Sequence, residues 1–176
     1  MKKFLAMLMA VMMVLSLVTV PVMAESPAAN DPRLSTAPKT GTAAAPADAA
    51  NLNEALNVAG GTLTFTSEGD YPWIVDGDAA KSTNVNVANS TSTVSTTVTA
   101  AAGDILRFDF MSFGEGSGSY VWDGLQLFID GTETMKWNRV ETWTTYAVEL
   151  TAGEHTVSWT YKKDGSLDKP GDYATV

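Results

Sequence analysis

From Thr62 to Tyr161 apolar side chains keep returning at every second position. Leu63 and Phe65 alternate with Thr62, Thr64 and Thr66, and Val85 and Val87 with Asn84 and Asn86. Val94 and Val98 share a parity with Thr96 among serines and threonines. Leu106, Phe108 and Phe110 follow, then Leu125, Leu127 and Ile129, then Tyr146, Val148 and Leu150, then Val157, Trp159 and Tyr161. A period of two puts one set of side chains on each face of an extended chain, so each run predicts a strand with one buried and one wet face. Threonine, valine and aromatic residues suit such surfaces. The runs end at Glu68-Gly69-Asp70, Asp76-Gly77-Asp78, Ala102-Gly103-Asp104, Asp130-Gly131, Ala152-Gly153-Glu154 and Asp164-Gly165. Glycine supplies positive φ there, and Asp bonds its own backbone. Many short strands with regular turns and no long helical pattern predict an all-β fold, an antiparallel two-sheet β-sandwich.

The N-terminus reads differently. Lys2 and Lys3 precede an almost wholly apolar run from Phe4 to Val20, and Val22-Met23-Ala24 is a small-x-small ending. This is the three-part pattern of a cleaved secretory signal, 1–24, and the run is slightly short for a lasting membrane anchor. Residues 25–51, rich in Ala and Pro, predict a disordered tether. The domain is expected over 52–176, opening with one helical turn at Leu52–Leu56 that Gly60-Gly61 ends.

Without Lys2 and Lys3 the chain carries nine basic against 20 acidic residues, a formal charge of −11. Such a surface repels phosphate backbones and anionic lipid, which argues against nucleic acid and against membrane insertion after signal removal. It would attract calcium. With no cysteine in the chain, thiol chemistry and disulfides are excluded. An exported domain of this kind relies on its core or on bound cations.

Taken in order, GGTLTFTSEGDYPWIVDGDAAKS, AAGDILRFDF, YVWDGLQLFIDG, AGEHTVSWTYKKDG and GDYAT resemble the jelly-roll modules of bacterial secreted and surface proteins. These are similar to MAM-type and cleaved-adhesin domains. The resemblance covers about Leu52 to Val176. It implies a jelly roll that works in adhesion, glycan contact or protein contact without catalysis, often with a structural calcium ion. Where the family continues past the motif at Gly171-Asp172-Tyr173-Ala174 with a last apolar strand, this chain stops at Val176. That predicts a domain truncated at its C-terminal strand, with an open sheet edge.

Individual residues narrow the chemistry further. The single histidine, His155, opens a strand in the parity of Val157, Trp159 and Tyr161, which reads as structural. No G-x-S-x-G elbow and no E-x-D-x-E strand face is present, so no catalytic residue is assigned. Acidic turns offer oxygen ligands for calcium at Glu68, Asp70, Asp76, Asp78, Glu115, Asp123 and Asp172, though each also reads as a turn former. Asp70 and Asp172 are the first pair to consider, because chain ends meet in a sandwich. Of the tryptophans, Trp159 reads as core, Trp73 as packed at a sheet edge and Trp143 as a cap on the core. Trp122 shares parity with Gln126 and Phe128, off the buried row, and Trp137-Asn138 sits among polar neighbours. Trp122, Phe128, Trp137 and Asn138 are therefore the candidate ligand contacts, since sugars stack on aromatic faces and bond nearby amides; a second packed layer would bury them instead. Gly114 to Ser119 reads as a flexible connector.

The expectation is a secreted or cell-surface, non-catalytic binding module for a glycan or a cell-surface protein. The alternatives are a structural spacer in a larger surface protein and the accessory domain of a secreted hydrolase.

Overall fold

The computed structural model describes residues 51–57, 60–117, 119–166 and 171–176. The expected signal, 1–24, and all of the expected tether except Asn51 lie outside the described residues.

Asn51 caps a single helical turn, α1 (Leu52–Leu56), by accepting the Glu54 amide at 3.2 Å. Short polar side chains suit this position because they satisfy an amide the helix leaves unpaired. The turn ends at Asn57, whose side chain ties Asn53 to Leu63, rather than at the glycines. Strands follow as β1 (Phe65–Thr66), β2 (Ile74–Asp76), β3 (Ala79–Lys81), β4 (Thr91–Ala100), β5 (Ile105–Ser112) and β6 (Gly116–Ser117). Then come β7 (Tyr120–Val121), β8 (Gly124–Ile129), β9 (Thr132–Trp137), β10 (Val140–Glu149), β11 (Gly153–Lys162) and β12 (Ala174–Thr175).

Among the described residues these make two five-stranded antiparallel sheets, ordered β1-β4-β11-β8-β9 and β10-β5-β12-β3-β2, and a separate β6-β7 hairpin. The arrangement is compatible with a β-sandwich. Register follows the alternation: Val94 faces Trp159, which faces Leu127, and Tyr161 faces Leu125. In the other sheet Phe108 faces Tyr146 and Leu106 faces Val148. The inward rows meet in one core. Phe108 crosses to Trp159 edge-on at 5.3 Å between ring centres, and also touches Phe110, Tyr146 and Trp137 at 5.8 to 6.0 Å. Edge-to-face rings add to the burial itself. The two similar entries AAGD and TAGE both turn on a positive-φ glycine, Gly103 and Gly153, and lead into different sheets.

Two expectations are corrected. The Asn84–Ser90 segment is a loop and not a strand. Asn86 and Asn89 take positive φ, and the buried Asn84 amide donates to Ser90 Oγ at 3.0 Å and to the Tyr161 carbonyl at 3.2 Å. A local side-chain bond has displaced ladder pairing there. Ala174 and Thr175 form β12, which pairs with β5 on one side and β3 on the other. Val176 exchanges both backbone bonds with Ala80 at 2.9 Å. Trp143 does not cap the core. It sits 44% exposed where β10 bulges between Val140 and Thr144.

Phe108→Ala should lower the free energy of unfolding by about 3–5 kcal/mol, because it empties the contact between the sheets. Trp143→Ala should stay within about 0.5 kcal/mol. Urea denaturation of both variants checks the contrast.

Candidate functional site: the hairpin and the carboxylates beneath it

Close backbone contacts hold the described residues between β5 and β8. The Glu115 carbonyl accepts the amides of Trp122 and Asp123, both at 3.0 Å, closing the loop that carries β6 and β7. Glycine is needed inside it. A Cβ at Gly116 would collide with the Asn138 amide and the Tyr120 carbonyl, and one at Gly114 with the Asp123 carbonyl. These glycines serve close packing, which corrects the reading of Gly114 to Ser119 as a flexible connector. Ser112 joins the two sheets under the loop, donating to the Trp137 carbonyl at 2.9 Å and accepting the Leu125 amide at 3.0 Å. Tyr161 Oη donates to the Phe113 carbonyl at 2.5 Å. On this frame Tyr120 is 71% and Trp122 48% exposed.

The four ligand contacts expected from sequence do not form one platform. Trp122 faces solvent. Asn138 is half-buried against Gly116 of the hairpin. Phe128 lies half-buried on the outer face of its sheet, opposite Ser158. Trp137 turns the other way, into the core, with ring centres 4.5 Å from Phe110 and 4.9 Å from Tyr146. An irregularity between Leu127 and Phe128 shifts β9 by one residue, so Trp137 pairs with inward-facing Leu125 despite its polar neighbours. Tyr120 was missed, since its Gly-Ser surroundings carry no periodicity.

Behind the hairpin lies a charged interior. Asp123 and Lys163 are both buried; Lys163 Nζ lies 3.0 Å from Asp123 Oδ2 and 3.6 Å from Asp172 Oδ2. Asp123 Oδ1 accepts the Asp164 amide at 2.8 Å. Carboxylate oxygens of Glu115, Asp123 and Asp164 lie within 4.8 Å of one another. The sequence did hold a signal for Lys163. It continues the inward parity of Val157, Trp159 and Tyr161, and a lysine in a buried row requires a carboxylate partner. The expected calcium pair fares differently. Asp172 is buried with the Lys163 ammonium beside it, and Asp70 is exposed in the turn after β1. The converging carboxylates are a different set.

His155 sits at the far end of β11. Nδ1 donates to Asp130 Oδ2 at 2.7 Å, and Nε2 lies 2.9 Å from the Thr151 carbonyl and 3.3 Å from Thr151 Oγ1. The acid, imidazole and hydroxyl look like a triad. When Nε2 donates to the carbonyl the ring carries both protons, and in that form it has no lone pair to accept a hydroxyl proton. The Asp130 hydrogen bond, then the Thr151 carbonyl, push the imidazole above its ordinary 6.5. The bond from His155, then the Thr156 amide, hold the Asp130 carboxyl below 3.8.

Lys163→Met leaves Asp123 buried without its ammonium, and should cost about 3–5 kcal/mol of stability in urea denaturation. The His155–Asp130 pair sets a pH window. The raised imidazole stabilises fully below 6.5, and that contribution is lost as pH rises through the higher folded value. The lowered carboxyl stabilises above 3.8, and that contribution is lost as pH falls through its folded value. Wild type should therefore exceed Asp130→Asn most between these limits. Melting midpoints across pH test this, and a gap independent of pH would refute it.

No family model and no curated protein matches the chain. Among solved structures the fold is similar to part of the secreted serine protease VesC from Vibrio cholerae, with a TM-score of 0.51 and 18% identity. The match covers 64% of this chain and 22% of that one. At this identity the likeness concerns the fold alone.

Proposed function

We propose that this chain is a non-catalytic binding module of an exported protein, with jelly-roll topology, that docks glycan through Tyr120 and Trp122. The observation that carries the reading is the pair of exposed rings on a hairpin whose backbone is pinned from beneath. Rings held in place before binding lose little entropy on contact, and they offer flat apolar faces to the C–H faces of a sugar. The half-buried Asn138 beside the hairpin adds an amide suited to hydroxyl groups. A non-catalytic role agrees with the locked geometry of the single histidine. Among the described residues no helix is long and apolar enough to cross a membrane. The apolar N-terminal segment supports export to the outside or the cell surface. The fold likeness to 22% of a secreted protease supports an accessory place within a larger secreted protein.

A glycan array probed with the full chain and with a Tyr120→Ala/Trp122→Ala variant tests this. Binding should appear with the wild type and fall by about 100-fold in the variant, at roughly 1–3 kcal/mol for each ring lost. Silence on every glycan would favour a spacer, and a protein partner lost in the same variant would replace the glycan as ligand.

A further inference from the structure

Lys163 and Asp123 bring an amine and a carboxyl group together away from water. Their side chains are 0% and 1% exposed, with Nζ 3.0 Å from Oδ2. The ladder sets them face to face. Lys162 pairs with Gly124, and one step further Lys163 stands opposite Asp123. Asp123 is held from two other sides: Oδ1 accepts the Asp164 amide at 2.8 Å, and its own amide donates to the Glu115 carbonyl at 3.0 Å. A second buried carboxylate reaches the same nitrogen, with Asp172 Oδ2 3.6 Å from Nζ. We propose that Lys163 and Asp123 condense into an intramolecular amide bond, with Asp172 as proton shuttle, giving the domain a covalent staple from the start of β8 to the end of β11.

The step needs no other reactant. The ammonium passes one proton to Asp123 Oδ2, the oxygen it faces, leaving a neutral amine and a neutral acid. The Nζ lone pair attacks Cγ, and the Nζ–Cγ bond forms. Negative charge gathers on Oδ1, where the Asp164 amide already donates. Asp172 takes a second proton from the nitrogen and delivers it to Oδ2. The Cγ–Oδ2 bond breaks, its electron pair leaves with oxygen, and one water departs. The product amide is neutral, and its remaining N–H is left beside Asp172 as a donor. Burying an amide costs less than burying two ions, which drives the step forward. Groups held in contact react as if at about 10⁵–10⁸ M, and a site closed to water resists the reverse hydrolysis. With no cysteine in the chain, no disulfide can supply such a link. This is a single internal turnover rather than catalysis on a substrate, and it stands whatever the hairpin binds.

Mass spectrometry of the full folded chain, denatured before measurement, tests the bond. The chain should weigh one water less than its sequence, and protease digestion should release one branched peptide joining the Asp123 and Lys163 segments. Asp123→Ala removes the carboxyl group and should give no branched peptide. Asp172→Asn keeps the Lys163–Asp123 pair and should form the branched peptide at least about 100-fold more slowly, the usual loss for a missing acid–base group. The wild-type result decides even if a variant fails to fold. Separate Asp123 and Lys163 peptides of full mass from the wild type overturn the bond, and formation at the wild-type rate in Asp172→Asn overturns the shuttle.

Discussion

One inward-facing row governs this molecule. On β11 the alternate residues His155, Val157, Trp159 and Tyr161 are all buried, and Lys163 continues the row just past the strand. At about 3.3 Å per residue, eight steps separate the imidazole from the ammonium by roughly 26 Å. The middle of the row is apolar and packs across to Phe108, while each end is a basic side chain bonded to a carboxylate, His155 to Asp130 and Lys163 to Asp123. Shifting β11 by one residue would send Trp159 outward and take His155 and Lys163 from their carboxylate partners. Registers in which every side chain changes face are strongly excluded, and charged ends exclude two-residue slips as well. A shift by two preserves the apolar parity but misplaces His155 and Lys163.

That row also explains what could be read in advance. Period two placed Val94, Leu106, Phe108, Phe110, Leu125, Leu127, Val157, Trp159 and Tyr161 in the core, because burial on one face of a strand is a local property. The method failed where the controlling contact is distant in sequence. Val85 and Val87 alternate as a strand would, yet Asn84 is taken by Ser90 and by the Tyr161 carbonyl 77 residues away. Trp137 looked exposed among Lys, Asn and Arg, and an irregularity in the β8-β9 pairing turned it inward. Ala174 and Thr175 are too few to register as a strand, but two waiting neighbours supply partners on both sides.

The candidate site was the least legible part for a related reason. Glycines in Gly114 to Ser119 have the composition of a linker, and their role is set by what presses on them, which sequence does not state. Asn138 and the Tyr120 carbonyl leave no room for a side chain at Gly116. Acidic residues suffer the same ambiguity. Glu68, Asp70, Asp76 and Asp78 are exposed turn formers, whereas Glu115 and Asp123 are buried, although all stood among the candidate cation ligands. Burial, and not charge or spacing, separates a solubilising carboxylate from one that demands a partner.

The hairpin's stiffness and its chemistry are then coupled. Tyr120 and Trp122 can remain exposed because the backbone between them and the core is satisfied by the Glu115 carbonyl, and Glu115 belongs to the carboxylate group through its side chain. The same residue thus shapes the loop with its main chain and concentrates charge beneath it with its carboxylate. The exposed rings consequently stand on a loop closed by backbone hydrogen bonds, unlike the apolar Phe108–Trp159 core behind it.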